Sequence, residues 1–397
     1  MEEKIAKRLI SGEAVNLMGK LHDLSGKPGY YSFASGMPNE CTFPVKEMSD
    51  AISDVLDNQW EEALQYNSTN DYLPLKEIIV ERHRKEGLNV TTDDILITSS
   101  STQALDICAK TLLDPGDYML IERPTFMGAI NTFKIYGAQL IDVPVSADGV
   151  NIEALKKQLE KKPKMAYFIP TFQNPAGWCI SAADRQAIAD AFRGTDTIVL
   201  EDNPYGELRF RGEVVPPLKT FIGDKCVLLG SFSKIVSPGM RLGWICCTDK
   251  DLMDDFYTVK QQCDVHAEGI SMRGMTSYFQ HNDVDAHIQE AAAFYKKNAD
   301  AIVAAIEKYF PAGVRYTTPD GGLFTWVELP ESIDVGELFD RASEEKVIFF
   351  PGSTFYIDPA DGSHSLRLSY SCIDIDSINI GIEKLGRILS DMMKEEK

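Results

Sequence analysis

Long hydrophobic runs are absent from the sequence. Among its 397 residues, apolar stretches such as 197–200 and 245–247 are far too short to cross a bilayer. The first residues also lack the apolar stretch and the small-residue cleavage site of a signal peptide. We therefore expect a cytoplasmic protein.

Positive charge is scarce as well. Lys and Arg together number 40 against 60 Asp and Glu, and the formal net charge is −20 at pH 7. A surface of this sign repels nucleic acid and anionic membranes over most of its area. We expect neither as a partner, and any site for an anion must draw on local Arg, Lys or helix-terminus charge.

Cysteines with the spacing of metal ligands are missing too. None of the eight cysteines belongs to a C-x-x-C pair or to a Cys/His cluster. Zinc sites are recognised by such spacings. The sequence therefore predicts reduced thiols and no metal site.

The middle of the chain alternates short apolar runs with helical patterns such as 102–113 and 182–192. Seven strand candidates, bounded mostly by turn residues, lie at 95–99, 118–122, 139–143, 165–169, 197–201, 226–229 and 242–247. This alternation is typical of an α/β fold with a large, doubly wound, mostly parallel seven-stranded sheet. Ligands of such sheets bind outside the carboxyl ends of the strands.

Two domains are expected, because a single core stops growing at roughly 250–300 residues. An amphipathic helical pattern at 284–309 leads out of the sheet domain. Beyond it the sequence predicts a final helix from Ile375 and strands near 323–328, 347–350 and 365–369. We place the large domain at 46–290 and a smaller α/β domain at 1–45 and 291–397.

The pattern S-x-S-K-x6-R-x-G, which contains Ser231, Ser233, Lys234 and Arg241, stands between the last two strand candidates. A lysine in an apolar setting at a strand end can be an amine nucleophile, because desolvation lowers its pKa. Arg241 follows a Pro-Gly turn that can return it towards Lys234, and a guanidinium suits a phosphate.

This spacing resembles the cofactor-lysine motif of the fold-type I pyridoxal 5′-phosphate (PLP) aminotransferases, the aspartate aminotransferase superfamily. The resemblance implies that Lys234 carries PLP as a Schiff base. It also implies that Ser231, Ser233 and Arg241 hold the phosphate of the cofactor.

Two further motifs match residues that surround the PLP ring in this family. Asp202 ends the strand candidate 197–201, and the resemblance places it at the ring nitrogen, where an acidic group keeps the ring an electron sink. Tyr205, and Asn174 in the P-x-x-x-N-P-x-G stretch 170–177, match the residues that hydrogen-bond the ring hydroxyl. By itself, N-P-x-G is also a good turn sequence.

The stretch Ser100, Ser101 and Thr102 stands between a strand and a helix, where hydroxyls and free N–H groups make a ready anion site. It resembles the phosphate cup of the family, although the glycine that the family often has there is absent. Phe126 matches the aromatic residue that stacks on the PLP ring.

Substrate-binding motifs of the family are matched near both ends of the chain. Arg367, on an alternating strand pattern, matches the arginine that clamps the substrate α-carboxylate, and the resemblance adds Asn174 to that site. Gly36 lies in a stretch similar to the one that lines the substrate mouth, where glycine lets a ligand approach the backbone. The stretch 65–72 resembles the Q-Y-x-x-x-x-G-Y motif of the family, with Asp71 in place of the usual glycine. Its Tyr66 matches a tyrosine that reaches the phosphate bound in the neighbouring subunit.

These motifs follow the order of the family from about residue 30 to about residue 370. They imply a homodimeric aminotransferase with shared active sites, similar to the 2-aminoadipate and broad-specificity subgroup. It would move an amino group from an L-amino acid to a 2-oxo acid, with 2-oxoglutarate as the expected acceptor. Two alternatives stay open: another PLP reaction such as a β-lyase, and a non-enzymatic PLP-binding regulator, which would carry an added N-terminal DNA-binding domain.

Overall fold

The computed structural model describes residues 27–68 and 72–395, and before them residues 6, 8, 9, 19, 21, 23 and 24. In the motif that contains Tyr66, residues 69–71 lie outside the described part.

The strands are β1 (Tyr31–Ser32), β2 (Ile95–Thr98), β3 (Tyr118–Arg123), β4 (Gln139–Ser146), β5 (Gly149–Val150), β6 (Met165–Phe168), β7 (Ile198–Asp202), β8 (Cys226–Ser231), β9 (Gly243–Cys246), β10 (Arg315–Tyr316), β11 (Phe324–Glu328), β12 (Val347–Ile348), β13 (Phe350–Pro351) and β14 (Ser365–Ser369).

The α-helices are α1 (Val45–Asn58), α2 (Trp60–Ala63), α3 (Leu73–Lys85), α4 (Ser101–Leu112), α5 (Met127–Ile135), α6 (Ile152–Leu159), α7 (Ala182–Phe192), α8 (Leu218–Ile222), α9 (Lys250–Asp264), α10 (Gly269–His281), α11 (Val284–Tyr309), α12 (Val335–Glu344) and α13 (Ile375–Glu395). Short 3₁₀ turns occupy Glu40–Thr42, Thr92–Asp94, Pro238–Met240, Gly352–Phe355 and Pro359–Gly362.

The central sheet has the strand order β2-β9-β8-β7-β6-β3-β4-β5. The pairs from β4 through β3, β6 and β7 to β8 are parallel, whereas β9 is antiparallel to both of its neighbours. The seven predicted strands are all present, but the predicted strand number is wrong by one. The eighth strand, β5, turns back onto β4 after a two-residue turn. Two residues are too short to show a strand periodicity in the sequence.

Both faces of this sheet are covered, which explains why its strands are apolar almost throughout. On β2, Leu96 belongs to one core cluster while Ile95 and Ile97 belong to the other. On β3, Leu120 and Ile121 likewise point to opposite clusters. Sheets buried on two sides have continuous hydrophobic strands of this kind.

A second, antiparallel sheet has the order β10-β11-β14-β13, and β1 pairs in parallel with β12. The helix α11 has the bounds of the amphipathic pattern seen in the sequence, and α13 packs against it. The central sheet lies within the predicted large domain, and the second sheet lies within the predicted smaller one. The domain boundaries themselves stay a prediction.

Within the described ranges, no helix is long and apolar enough to cross a membrane. Over the same residues, no group of three or more His, Cys, Asp and Glu side chains is arranged to hold a metal ion. All eight cysteines are free thiols.

A buried arginine connects the 170–180 segment to the central sheet. The side chain of Arg185, on α7, is fully buried. It donates hydrogen bonds to the carbonyl oxygens of Pro170 (2.8 Å), Ile180 (3.0 Å) and Pro216 (2.8 Å). Its guanidinium also lies 3.9 Å from the carboxylate of Glu201 on β7. The buried guanidinium of Arg185 therefore fixes both ends of the segment that carries Asn174.

We expect Arg185→Met to lower the apparent stability of the protein by about 3 kcal/mol or more, because it removes a donor from three carbonyl oxygens and the neighbouring cation from the buried carboxylate of Glu201. Urea unfolding followed by circular dichroism measures the shift in midpoint. The control is Arg193→Met at the end of the same helix, where the arginine is exposed and paired with Asp190, and the expected cost is below about 1 kcal/mol. Equal midpoints for the two variants would contradict the prediction.

Candidate active site

A cavity of about 510 Å³ opens at the carboxyl ends of the central strands. Every residue that the sequence assigned to the cofactor or the substrate lines it, except Tyr66: Gly36, Ser100, Ser101, Thr102, Phe126, Asn174, Asp202, Tyr205, Ser231, Ser233, Lys234, Arg241 and Arg367. Residues far apart in sequence meet here because parallel strands direct their carboxyl ends to one edge of the sheet.

Lys234 follows β8 and is largely buried. Its Nζ donates a hydrogen bond to the carbonyl oxygen of Gly36 at 3.0 Å. Burial and, after it, the guanidinium of Arg367 lower the pKa of Lys234 to about 8. The lysine therefore has the neutral amine available close to neutral pH, as a nucleophile or a base requires.

The start of α4 and the turn after β8 form an anion-binding cup. Ser100 precedes α4 with a φ of 81°, and Arg241 has a φ of 52°. Arg241 Nη2 donates a hydrogen bond to Ser100 Oγ at 2.6 Å, and Ser231 Oγ lies 2.8 Å from Ser233 Oγ. The free N–H groups of a helix start, three hydroxyls and a guanidinium thus surround one space, which suits a phosphate.

Gly243 explains why the lysine motif ends in R-x-G. A Cβ atom at Gly243 would lie 2.5 Å from both the carbonyl carbon of Ser100 and the amide nitrogen of Ser101. The backbone of β9 therefore passes against the start of α4 with no room for a side chain. This glycine belongs to the motif seen in the sequence, but its role became visible only in the structure.

Asp202 is the last residue of β7 and is buried. Its Oδ2 accepts a hydrogen bond of 2.6 Å from the hydroxyl of Tyr167 on β6, whereas its Oδ1 is buried without a hydrogen-bond partner among the described residues. Burial raises the pKa of Asp202 to about 6. Tyr167 was not predicted as part of the site, because nothing in its local sequence distinguishes it from other strand residues.

Arg367, on β14, is a buried cation that has no carboxylate partner in the described part of the chain. Its Nη1 donates to Asn174 Oδ1 at 2.8 Å and its Nη2 donates to the carbonyl oxygen of Ala34 at 2.7 Å. Burial lowers the pKa of Arg367 to about 10. A cation desolvated to this degree, with only neutral partners, is suited to bind an anion that enters the cavity.

Gly36 lies beside this guanidinium. A Cβ atom at Gly36 would lie 3.9 Å from Arg367 Nη1 and 3.3 Å from the ring of Phe324. Tyr205 packs edge-to-face on the same Phe324 ring, with 5.7 Å between centroids. Phe324 thus supports both the predicted substrate mouth and the tyrosine predicted to contact the cofactor.

Several residues that line the cavity have no role assigned from the sequence, among them one polar and one aromatic side chain. Asn131 on α5 and Phe350 on β13 both contribute to its wall. Arg367 also stacks its guanidinium over the Phe350 ring, 4.8 Å from the centroid. Neither residue belongs to a recognisable motif, so no local signal pointed to it.

The family model for "Aminotransferase class I and II" matches residues 32–385. The chain belongs to this family. This aminotransferase is 34% identical to aromatic-amino-acid aminotransferase 1 of Thermococcus litoralis, over 92% of this chain and 89% of that protein. It is 33% identical to 2-aminoadipate transaminase of Thermus thermophilus, over 94% of each chain.

The fold of this aminotransferase is also that of a kynurenine aminotransferase from Pyrococcus horikoshii, whose crystal structure was solved in complex with pyridoxamine 5′-phosphate (PMP). The TM-score is 0.93, with 32% sequence identity over 98% of each chain. The predicted family, fold class, enzyme class and cofactor are confirmed: this is a PLP-dependent aminotransferase of fold type I.

The cavity of this aminotransferase fits PLP on its own geometry. A protonated ring nitrogen would supply the donor that the buried Oδ1 of Asp202 lacks within the described part of the chain. The cup around Ser100 and Arg241 suits the phosphate, and Lys234 presents an amine of lowered pKa in the same cavity.

The lowered pKa of Lys234 can be measured on the protein freed of cofactor. Only the neutral amine reacts with acetic anhydride. The rate of acetylation at Lys234 should therefore rise about tenfold per pH unit below a midpoint of about 8 and level off above it. Mass spectrometry of the peptide that contains Lys234 gives this rate.

Arg367→Leu removes a neighbouring cation and should move this midpoint to higher pH. The control, Arg211→Leu, changes an arginine that does not line the cavity and should leave the midpoint unchanged. A midpoint at the ordinary lysine value of 10.5 in the unmodified chain would contradict the assignment.

Proposed function

We propose that this aminotransferase moves the amino group of an L-amino acid to a 2-oxo acid, with 2-oxoglutarate as the acceptor, in two half-reactions at this cavity. One observation carries the proposal. A lysine amine of lowered pKa lines the same cavity as an anion-binding cup and a buried guanidinium that has no carboxylate partner among the described residues. These groups support separate places for a phosphate and for an α-carboxylate in the proposed reaction.

The residues around the cup and at the strand ends would hold PLP. Ser100, Ser101, Thr102, Ser231, Ser233 and Arg241 surround the place of the phosphate. Phe126 supplies a ring to stack on the cofactor, and Tyr205 and Asn174 supply polar atoms for its ring hydroxyl. Asp202 faces the cavity at the end of β7 and would hold a proton at the ring nitrogen.

Arg367 would bind the α-carboxylate of amino and oxo acids alike, through a bidentate pair that also orients the Cα–H bond. Lys234 would hold the cofactor between turnovers. When it does not hold the cofactor, the Lys234 amine would act as the base that accepts the Cα proton of the substrate and as the acid that returns a proton. PLP, when bound, supplies the electron sink for that proton transfer.

The cavity wall near these groups favours large, uncharged side chains on the amino donor. Its described apolar contributors include Leu21, Met37, Met127, Ile169 and Phe350, with Asn131 and Ser35 as neutral polar groups. Among the described residues of the wall, the cations are Lys234, Arg241 and Arg367, all of which already have a role in the proposal. We therefore infer that aromatic and long aliphatic amino acids are the preferred donors.

The protein should be yellow with PLP bound, and borohydride should fix a pyridoxyl group on Lys234. With an aromatic donor and 2-oxoglutarate, the 2-oxo acid of the donor and glutamate should form in equal amounts. Lys234→Ala should lose both the label and turnover, a loss of about a thousandfold or more, because nucleophile and base are the same residue. Mass spectrometry and chromatography of both products provide the measurements.

Lys260→Met is the matched control, since Lys260 is buried outside the cavity and should not change the label. Pyruvate as the alternative acceptor tests the preference for 2-oxoglutarate. A label on another lysine would refute the cofactor assignment. Release of ammonia without formation of glutamate would instead indicate elimination, as expected of a β-lyase.

We also propose that the enzyme is a homodimer with shared active sites. Apolar side chains are exposed along α1, α2 and the start of α3: Val45, Leu56, Trp60, Leu64, Tyr66 and Leu73. A surface of this kind is usually covered by a partner. Tyr66 is 81% exposed and does not line its own chain's cavity, which supports a role at the phosphate of the partner's site. A cytoplasmic location stays a prediction, in keeping with eight free thiols.

A mixture of the Tyr66→Phe and Lys234→Ala proteins, dissociated and re-formed together, tests the shared site. Each mixed dimer would have one site with both defects and one intact site. Activity should therefore rise towards about a quarter of the wild-type value, because about half of the dimers are mixed.

The control is the mixture of Lys234→Ala with Arg367→Ala. Both residues line the cavity of one chain, so no mixed dimer has an intact site and no recovery is expected. A fully active monomer at assay concentration, seen by ultracentrifugation, would rule the shared site out.

A further inference from the structure

The carboxylate of Asp202 is held by one neighbouring side chain that the proposed mechanism does not use. The hydroxyl of Tyr167 donates a hydrogen bond of 2.6 Å to Oδ2. Tyr167 does not line the cavity and is 0% exposed. It can therefore touch neither substrate nor cofactor, and any effect on the reaction must pass through Asp202.

The sheet determines this contact. In the parallel pair of β6 and β7, Tyr167 is in register with Leu200, two residues before Asp202. Side chains two residues apart on a strand point to the same face, so Leu200 and Asp202 both lie on the face that Tyr167 occupies. The ring of Phe133 packs edge-to-face against the Tyr167 ring, with 5.7 Å between centroids. The Tyr167 hydroxyl is thus directed along the sheet towards the end of β7.

The charges around Asp202 make this hydrogen bond important. The pKa of Asp202 is raised by burial and, to a lesser degree, by the carboxylate of Glu201, while the Tyr167 hydroxyl opposes both by stabilising the ionised form. Glu122 on β3 and Tyr205 also interact electrostatically with Asp202. Among the described residues, the Tyr167 hydroxyl is the side-chain group that donates a hydrogen bond to Asp202, so it favours the charged carboxylate by direct contact.

The two oxygens of Asp202 differ in consequence. Oδ2 is occupied by Tyr167, whereas Oδ1 is buried without a hydrogen-bond partner in the described part of the chain. A carboxylate with both oxygens free can rotate about its last bond and can share a proton in several ways. One short hydrogen bond from a locked ring removes that freedom.

We propose that Tyr167 is a positioning residue for Asp202: its hydroxyl holds one carboxylate oxygen so that the other stays directed at the place of the PLP ring nitrogen. This inference rests on the proposed role of Asp202. Tyr167 on β6 would thus affect the reaction through Asp202, although it contacts neither the cofactor nor the substrate.

The test compares the binding of PLP with that of its deaza analogue, in which a carbon atom replaces the ring nitrogen. The protein is first freed of cofactor, and both dissociation constants are measured by fluorescence titration. Their ratio cancels what the two ligands share, namely the phosphate contacts and the bond to Lys234. It reports the interaction of Asp202 with the ring nitrogen.

Tyr167→Phe keeps the ring and its contact with Phe133 but removes the hydroxyl. It should reduce the preference for PLP over the deaza analogue by about tenfold, the size expected for a hydrogen bond to a charged group. A fluorotyrosine incorporated at position 167 keeps a donor hydroxyl and should restore the preference. This second replacement keeps the test decisive if the phenylalanine variant folds poorly.

Tyr370→Phe is the matched control. Tyr370 is also fully buried, and its hydroxyl donates to the carbonyl oxygens of Gly321 and Gly322, away from the cavity. Losing that hydroxyl should affect stability without changing the ratio of the two dissociation constants. An equal change in Tyr370→Phe and Tyr167→Phe would show that the effect is only structural, which would overturn the proposal.

Asp202→Asn separates this inference from the proposed function. If Asp202→Asn leaves the ratio unchanged, Asp202 does not face the ring nitrogen and its proposed role fails. If Asp202→Asn abolishes the preference while Tyr167→Phe retains it in full, only the inference about Tyr167 fails. In the double variant, Tyr167→Phe should add little to Asp202→Asn, since the two side chains act through one interaction.

Discussion

The removal of three ionisable side chains from water in one cavity is the constraint on which the rest of the site depends. Burial is the largest influence on the pKa of Lys234, Asp202 and Arg367, and it moves each of them towards the neutral form. None of the three has an oppositely charged partner among the described residues. The fold holds them with neutral groups instead: the Gly36 carbonyl, the Tyr167 hydroxyl and the Asn174 amide. A ligand with a ring cation and a carboxylate would supply the charges complementary to Asp202 and Arg367, while Lys234 stays available as an amine.

The geometry of the central sheet makes this arrangement possible. Parallel strands bring their carboxyl ends to one edge, where the chain leaves the sheet and polar side chains can point into a cavity rather than into a core. Close backbone packing then sets the shape of the cup, as at Gly243, which has no space for a side chain beside Ser100 and Ser101. Outside the cavity, the buried guanidinium of Arg185 stabilises the fold, because it donates hydrogen bonds to the backbone of the segment that carries Asn174.

The acidic surface and the cationic cavity serve different purposes. A net charge of −20 disfavours nucleic acid and anionic membranes as partners, whereas Arg241 and Arg367 create local positive potential where an anion must bind. Arg367 is the more specialised of the two, because its guanidinium is also stacked over the rings of Phe324 and Phe350. These stacking contacts keep it in place while leaving its edge for hydrogen bonds.

The amino-acid sequence by itself predicted the family, the α/β fold, the seven principal strands and a set of cofactor and substrate residues that, except for Tyr66, all line the cavity. It did so because Lys234, Asp202, Asn174 and Arg367 each belong to a short pattern that is visible without the fold. It did not predict β5, which is too short to show a periodicity. The role of Tyr167 beside Asp202 was determined only by the tertiary structure. The residues around Tyr167 are those of any buried strand. Its contact with Asp202 exists only because β6 lies beside β7 in a register that directs the Tyr167 hydroxyl at the Asp202 carboxylate.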